Sequence, residues 1–153
     1  MAKDNDAYTK IPYPKIRKAT VGVLRAARRK NMIHTFIEVD ITGARERIRE
    51  VKRATKHYLS FTGYVIHAVS KTVDENRMMH AYRNRRSQLV IFDDVDVSTT
   101  IERKLNNRNE VVALIIRGAN HKSVEEISNE MKSELERSVS EAEVYRSMNI
   151  FLR

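Results

Sequence analysis

The sequence predicts an α/β protein in the broad sense, with helices packed on a mixed sheet. Three observations carry that expectation. Residues 33–41 alternate, with Ile33, Thr35, Ile37, Val39 and Ile41 on one side, the period-2 pattern of a strand. Residues 42–73 then place apolar side chains at helical spacing in two successive stretches. Finally, EVVALII at residues 110–116 is an almost continuous apolar run, as in a strand covered on both faces.

At 153 residues the chain is long enough to bury a sizeable core within one domain. Apolar residues make up 41% and charged residues 32%, which excludes a disordered polyelectrolyte. No apolar run approaches the roughly 18–20 residues that span a bilayer, and the polar start MAKDNDAYTK lacks the core of a secretory signal. Without cysteine there is no disulfide framework, thiolate metal site or cysteine nucleophile, so the cytoplasm is the expected compartment.

The elements follow in order. Residues 1–15 are expected to form an extended N-terminal arm, because Pro12 and Pro14 disfavour helix in the residues before them. A helix is expected over 15–30, with Ile16, Ala19, Val23, Leu24 and Ala27 on one face and Gly22 as its weak point. After the 33–41 strand, Thr42 offers an N-cap to a solvated helix whose inner positions are Ala44, Ile48, Val51 and Thr55. Ser60 caps a more apolar, buried helix carrying Phe61, Tyr64, Val65, Ala68, Val69 and Val73, which ends around 75–79.

A basic turn is expected at 80–86, then strands at 88–92 and 95–101 joined tightly at Asp93 and Asp94. KLNNRN at 104–109 reads as a polar loop before the apolar strand 110–116, and 117–122 as a connector containing Gly118. Ser123 and Glu126 form an S-x-x-E capping box. The helix it opens, 123–145, keeps Val124, Ile127, Met131, Leu135 and Val139 in phase, and the tail RSMNIFLR follows.

The net charge of +9 admits nucleic acid or anionic small molecules as partners. The basic residues are spread over several elements, glutamates interrupt those of residues 45–53, and no zinc-finger or RNA-recognition signature occurs, so nucleic acid is the less favoured partner. There is also no Gly-rich phosphate loop, H-E-x-x-H or G-x-S-x-G. His34, His57, His67, His80 and His121 are scattered, and structural or surface roles are expected for them. His34 is the exception to watch, since an inward histidine on a strand can line a cleft. Thr99 and Thr100 present hydroxyls on a strand, where they are also simply good β-formers.

IRKATVGVLRAARRKNMIHTFIEVDIT resembles the start of the catalytic domain of the dihydrolipoamide acyltransferases of 2-oxo acid dehydrogenase complexes. LSFTGYVIHAVSKTVDENRMMHA is similar to that family's buried helix, and FDDVDVSTTIE and EVVALIIRGANHKSVEEISNEM to its next two strands and capped helix. The resemblance covers residues 16–131 and implies the chloramphenicol acetyltransferase-like fold, assembled as a homo-oligomer, typically a trimer. It implies acyl transfer from a coenzyme A thioester, with the histidine of an H-x-x-x-D-G motif as general base and a hydroxyl on the oxyanion. No metal is implied.

The chain departs from that pattern, because H-x-x-x-D-G occurs nowhere in it and no lipoyl attachment domain is present. Residues 16–153 are therefore expected to be the N-terminal half of such a catalytic domain, apparently incomplete, with the C-terminal half as a possible complementing partner. No catalytic residue is expected within it. By resemblance Arg17 braces the aspartate of the missing motif, although an exposed helix arginine is the ordinary alternative. His34, Thr99 and Thr100 would line the acceptor channel, and the segment between Ile101 and Glu110 is longer than the family's usual turn. A non-catalytic scaffold of the same fold and a basic nucleic-acid-binding module remain the alternatives.

Overall fold

The computed structural model describes residues 8–13, 15–28, 33–105 and 108–137. They fall into two compact units, one ending at Ile33 and one beginning at His34. The first carries helix α1 (Lys15–Ala27), so the expected helix is present, with residues 29 and 30 outside the described set. Residues 1–7 and 14 of the arm, Val139 and the end of the last helix, and the tail RSMNIFLR also lie outside it.

The second unit runs in the order α2 (Thr42–Thr55), α3 (Phe61–Glu75), a 3-10 turn (Arg77–His80), β1 (Tyr82–Arg83), β2 (Leu89–Val90), β3 (Val97–Leu105), β4 (Arg108–Ile116), a second 3-10 turn (Ala119–His121) and α4 (Val124–Glu136). The combination of helices and sheet agrees with the expected fold class. Among the described residues the strands form two separate antiparallel pairs, β1–β2 and β3–β4, rather than one mixed sheet. No described helix is long and apolar enough to cross a membrane.

Residues 34–41 correct the first expectation. They form no strand, and Phe36, Ile37 and Val39 are 97, 80 and 67% exposed. Alternation makes a segment fit to pair, but it becomes a strand only when another backbone meets its N–H and C=O groups. Helix α2 begins one residue earlier than expected: Thr42 is its first helical residue, and Ile41 rather than Thr42 holds the N-cap position, with no side-chain cap there. Asp40 takes over: its Oδ1 accepts from the Thr42 N–H at 2.8 Å. That bond holds the Asp40 carboxyl below its ordinary pKa.

Helix α2 buries no residue outright, and Ala44, Ile48 and Val51 are half-buried. Aromatic contacts help to hold it down. Arg45 lies 4.9 Å from the Phe61 ring centroid, while Lys52 and Lys132 lie 5.7 and 5.3 Å from that of Tyr58.

Ser60 caps α3 as expected, its Oγ accepting from the Gly63 N–H at 2.8 Å. The buried face of α3 is Gly63, Ile66 and Ser70 rather than the larger apolar set, and Val65 and Val69 stay 42 and 48% exposed. The reason is close approach to α4: the Ser60 N–H donates to Ser128 Oγ at 2.9 Å, and Ser128 is wholly buried. The expected capping box of α4 is complete, the Ser123 N–H donating to Glu126 Oε2 at 2.7 Å and the Glu126 N–H to Ser123 Oγ at 3.2 Å. The bond from Ser123 holds the Glu126 carboxyl below its ordinary pKa.

The two expected strands at 88–92 and 95–101 do not form a hairpin about Asp93 and Asp94. Leu89 and Val90 turn back on Tyr82 and Arg83, while β3 pairs forward with β4. The polar 104–109 stretch is strand up to Leu105 and again from Arg108, so it extends the β3–β4 hairpin, with residues 106 and 107 outside the described set. On the inner face of that hairpin, Ile101 opposes Val112 and Val97 opposes Ile116. With Ile66, Ile127 and Met131 from α3 and α4, these side chains make the core, Ile116 and Ile127 being fully buried. The expected two-sided cover of β4 is only partial, since Val111 on the outer face is 63% exposed.

Candidate functional site

The β3–β4 register brings together two polar segments that are far apart in sequence. Val97 opposes Ile116, so the residues just beyond, Asp96 and Arg117, flank the open end of the hairpin. The Arg117 Nη1–H donates to Asp96 Oδ2, and the Gly118 N–H donates to Asp96 Oδ1 at 2.9 Å. Gly118 adopts the left-handed conformation (φ 54°), which glycine reaches without a Cβ penalty and which starts the 3-10 turn. Burial raises the Asp96 carboxyl, but the Gly118 N–H and the Arg117 guanidinium outweigh it and hold the group below its ordinary pKa.

The buried side chain of Asn120 locks the turn in place. Its Oδ1 accepts from the Val95 N–H at 2.9 Å and its Nδ2–H donates to the Asp93 carbonyl at 3.1 Å, while the Ala119 N–H donates to the Val95 carbonyl at 2.8 Å. His121 Nε2 lies 3.1 Å from Asp94 Oδ1, and His80 Nε2 lies 3.2 Å from the Phe92 carbonyl. Arg77 bridges Asp93 at 2.7 Å and Asp74 at 3.1 Å.

These elements border an open-mouthed cavity of about 530 Å³, lined by His80, Phe92, Asp94, Asp96, Arg117 and Gly118. Each carboxylate among Asp93, Asp94 and Asp96 has a cationic or histidine partner, so the cavity offers balanced polarity rather than excess charge. It can orient a polar ligand, but no side chain here is set up as a nucleophile. No group of three or more metal-ligating side chains occurs among the described residues.

The residues singled out from sequence lie elsewhere. Arg17 is exposed on α1 in the first unit, and His34 is exposed at the start of the second. Thr99 and Thr100 sit side by side on β3 facing opposite sides, Thr99 half-buried opposite Leu114 and Thr100 exposed opposite Ala113. None of the four lines the cavity. Sequence reasoning passed over Asp96, Arg117 and Asn120. The available signal was the aspartate cluster of FDDVD, matched by the polar RGANH directly after an apolar strand.

Because the Asp96 carboxyl is held low in the folded state, its contribution to stability is complete above the unfolded value near pH 4 and is lost as pH falls through the folded value. Denaturant unfolding between pH 6 and pH 2.5 is expected to show an acid-side loss that Asp96→Asn reduces. The difference should stay under about 1 kcal/mol, because the carboxylate is more than a third exposed. An identical acid limb in the variant would remove Asp96 from the account.

The profile of the 2-oxoacid dehydrogenases acyltransferase (catalytic domain) family matches residues 5–143. No curated protein sequence matches the chain. Among solved structures, the cubic core of the pyruvate dehydrogenase multienzyme complex is similar at 14% identity and a TM-score of 0.72, over 86% of this chain and 55% of that one. The Azotobacter vinelandii dihydrolipoamide acetyltransferase aligns at 14% identity and 0.71, over 84% of this chain and 54% of that one. A truncated catalytic core of the Thermoplasma acidophilum 2-oxoacid dehydrogenase multienzyme complex aligns at 18% identity and 0.68, over 90% and 64%. The chain thus spans about half the length of the first two, and at these identities the likeness establishes a common fold. On the match to residues 5–143, this chain belongs to the family of 2-oxoacid dehydrogenase acyltransferase catalytic domains.

Proposed function

We propose that these residues supply the N-terminal part of a coenzyme A-dependent acyltransferase domain whose general base comes from a polypeptide segment outside the 153 residues. The family match over residues 5–143, together with the absence of H-x-x-x-D-G from the sequence, is the observation that supports this reading. In such a transfer a base takes the proton of the acceptor thiol, here proposed as dihydrolipoamide. The thiolate adds to the thioester carbonyl, and the oxyanion collapses with expulsion of the coenzyme A thiolate. This chain would bind and orient. Arg17 would brace the incoming motif, and His34, Thr99 and Thr100 would line the acceptor channel. The reading keeps a homo-oligomer, a trimer by resemblance, in the cytoplasm.

The test joins the chain in frame to the C-terminal segment of a family member chosen because its own sequence carries H-x-x-x-D-G, and measures acetyl transfer from acetyl-coenzyme A to dihydrolipoamide. The joined protein is expected to exceed the chain alone by about 10²- to 10⁴-fold, the usual worth of a positioned general base. Equal rates, or a folded joined oligomer with no transfer, would sink the proposal. In the second case a non-catalytic assembly role gains, which the exposed apolar side chains of Phe36, Ile37 and Val39 also favour.

A further inference from the structure

The β1–β2 hairpin carries an arginine cluster that neither the cavity nor the family assignment uses, although Phe92 at its base also lines the cavity. Residues 82–92, YRNRRSQLVIF, contain three arginines and no carboxylate. Arg83, Arg85 and Arg86 are exposed. The ion pairs of this unit engage Arg47, Arg77, Arg103, Arg117 and Arg137, and none to Arg83, Arg85 or Arg86 occurs among the described residues.

The loop that presents them is held firmly. The Asn84 N–H donates to the Gln88 carbonyl at 2.9 Å, and the Ser87 N–H to the Asn84 carbonyl at 3.1 Å. Asn84 Oδ1 accepts from both the Arg86 and Gln88 N–H groups at 2.9 Å, and Asn84 Nδ2 donates to Gln88 Oε1 at 3.0 Å. Ser87, at φ 58°, closes the loop in the left-handed region. This is a three-residue hairpin loop pinned by an asparagine, so Arg85 and Arg86 leave from a fixed backbone. Fixing the backbone beforehand lowers the entropy lost when an anion is bound.

The same hairpin carries a pair of exposed rings nearer its base. Tyr82 pairs with Val90 across the hairpin, which puts Phe92, two residues on, over the same side. The Tyr82 and Phe92 rings stack at 5.9 Å and 18°, with the His80 ring edge-on to Phe92 at 6.0 Å. Tyr82 and Phe92 remain 53 and 46% exposed.

We infer that this hairpin is a phosphate-binding finger for a ligand carrying a nucleotide, with Arg85 and Arg86 on phosphate oxygens and the Tyr82–Phe92 pair as a stacking surface for the base. Guanidinium forks match phosphate geometry, and stacked rings next to cationic side chains accept bases of any sequence. A carboxylate ligand would use the arginines but leave the rings without a role. The nucleotide has two possible sources, coenzyme A or single-stranded nucleic acid. The first source rests on the acyltransferase reading and the second does not.

The test uses the 153-residue chain and two probes, coenzyme A by calorimetry and a fluorescently labelled oligoadenylate by polarisation at two salt concentrations. Two variants are compared. R85Q/R86Q removes the finger, and R49Q/R53Q removes the same charge from exposed positions on α2. R85Q/R86Q is expected to weaken one probe by about tenfold or more, as loss of charge-assisted hydrogen bonds does, while R49Q/R53Q changes it by less than about twofold. A selective loss of coenzyme A identifies that source. A selective loss of oligoadenylate, with a shallower salt dependence, identifies nucleic acid. Equal weakening by both variants means general charge attraction and overturns the finger. If coenzyme A binds all three proteins alike and oligoadenylate does not bind, the finger is overturned and the acyltransferase reading stands. If neither probe binds the parent chain, the finger is again overturned, and acyl transfer is judged by its own assay.

Discussion

Glu134→Ala is expected to lower the unfolding free energy by about 3 kcal/mol, because it leaves a buried guanidinium without its counter-charge. Arg103 projects from the inner face of β3 and is only 8% exposed. Its Nη2–H donates to Glu134 Oε2 on α4 at 2.8 Å and its Nη1–H to the Arg137 carbonyl at 3.4 Å. Its Nε–H has no partner among the described residues, so the carboxylate carries most of the compensation. Without it, a desolvated cation remains between the hairpin and α4. Arg103→Met is expected to cost much less, since it removes the charge while keeping an unbranched apolar stem in place. Urea unfolding of the two variants checks this. A loss below about 1 kcal/mol for Glu134→Ala, within what an exposed ion pair gives, would show that the pair is ornamental.

Gly63→Ala is the second large effect, with a net loss of about 2 kcal/mol. A Cβ at Gly63 would stand 2.5 Å from Ser128 Oγ, 3.0 Å from Ser60 Oγ and 3.4 Å from the Ser128 backbone nitrogen. Ser128 cannot swing aside cheaply. It is fully buried, donates to the Val124 carbonyl at 2.6 Å and accepts from the Ser60 N–H. Overpacking of this kind costs about 1–3 kcal/mol and exceeds the gain of up to about 1 kcal/mol that alanine brings to a helix. Gly43 supplies the contrast, because nothing lies within 4 Å of a Cβ there. Gly43→Ala in α2 should therefore stabilise, by up to about 1 kcal/mol. Thermal unfolding of the two variants should move in opposite directions, and equal shifts would contradict the close approach of α3 to α4.

What could be read from the sequence was whatever local chemistry decides. The caps at Ser60 and Ser123 are examples: a serine finds its partners within a few residues, so S-x-x-E announces α4 before any tertiary contact is known. The β4 run was legible for a similar reason, its apolar density leaving few alternatives. Pairing was harder to read. Asp93 and Asp94 look like a hairpin turn, yet the backbone at Asp93 and Val95 is claimed by Asn120, 25 residues beyond Val95. A polar side chain in a connector gives no hint that it will be buried there.

The buried face of α3 was hard to read for a related reason. Hydrophobicity favours Val65 and Val69 as much as Ile66, whereas the helix packs through Ile66 flanked by Gly63 and Ser70, whose small size permits the close approach. The candidate site shares this character. Asp96 and Arg117 meet only because the β3–β4 register puts them side by side, and a register is a property of two strands together. The family resemblance reached further than local chemistry, because it draws on the order of elements along most of the chain.

The exposed stretch around Phe36 has a practical consequence. From residue 31 to residue 44 the sequence contains neither lysine nor arginine, so trypsin has no cleavage site there, whereas Phe36 and Glu38 suit chymotrypsin and a glutamate-specific protease. With Phe36 97% exposed in an irregular backbone, those two enzymes should nick the chain early, between α1 and α2. Any partner that lays a strand along this segment would silence both cuts and leave tryptic digestion elsewhere unchanged. The chain thus carries its own occupancy gauge, readable on a gel.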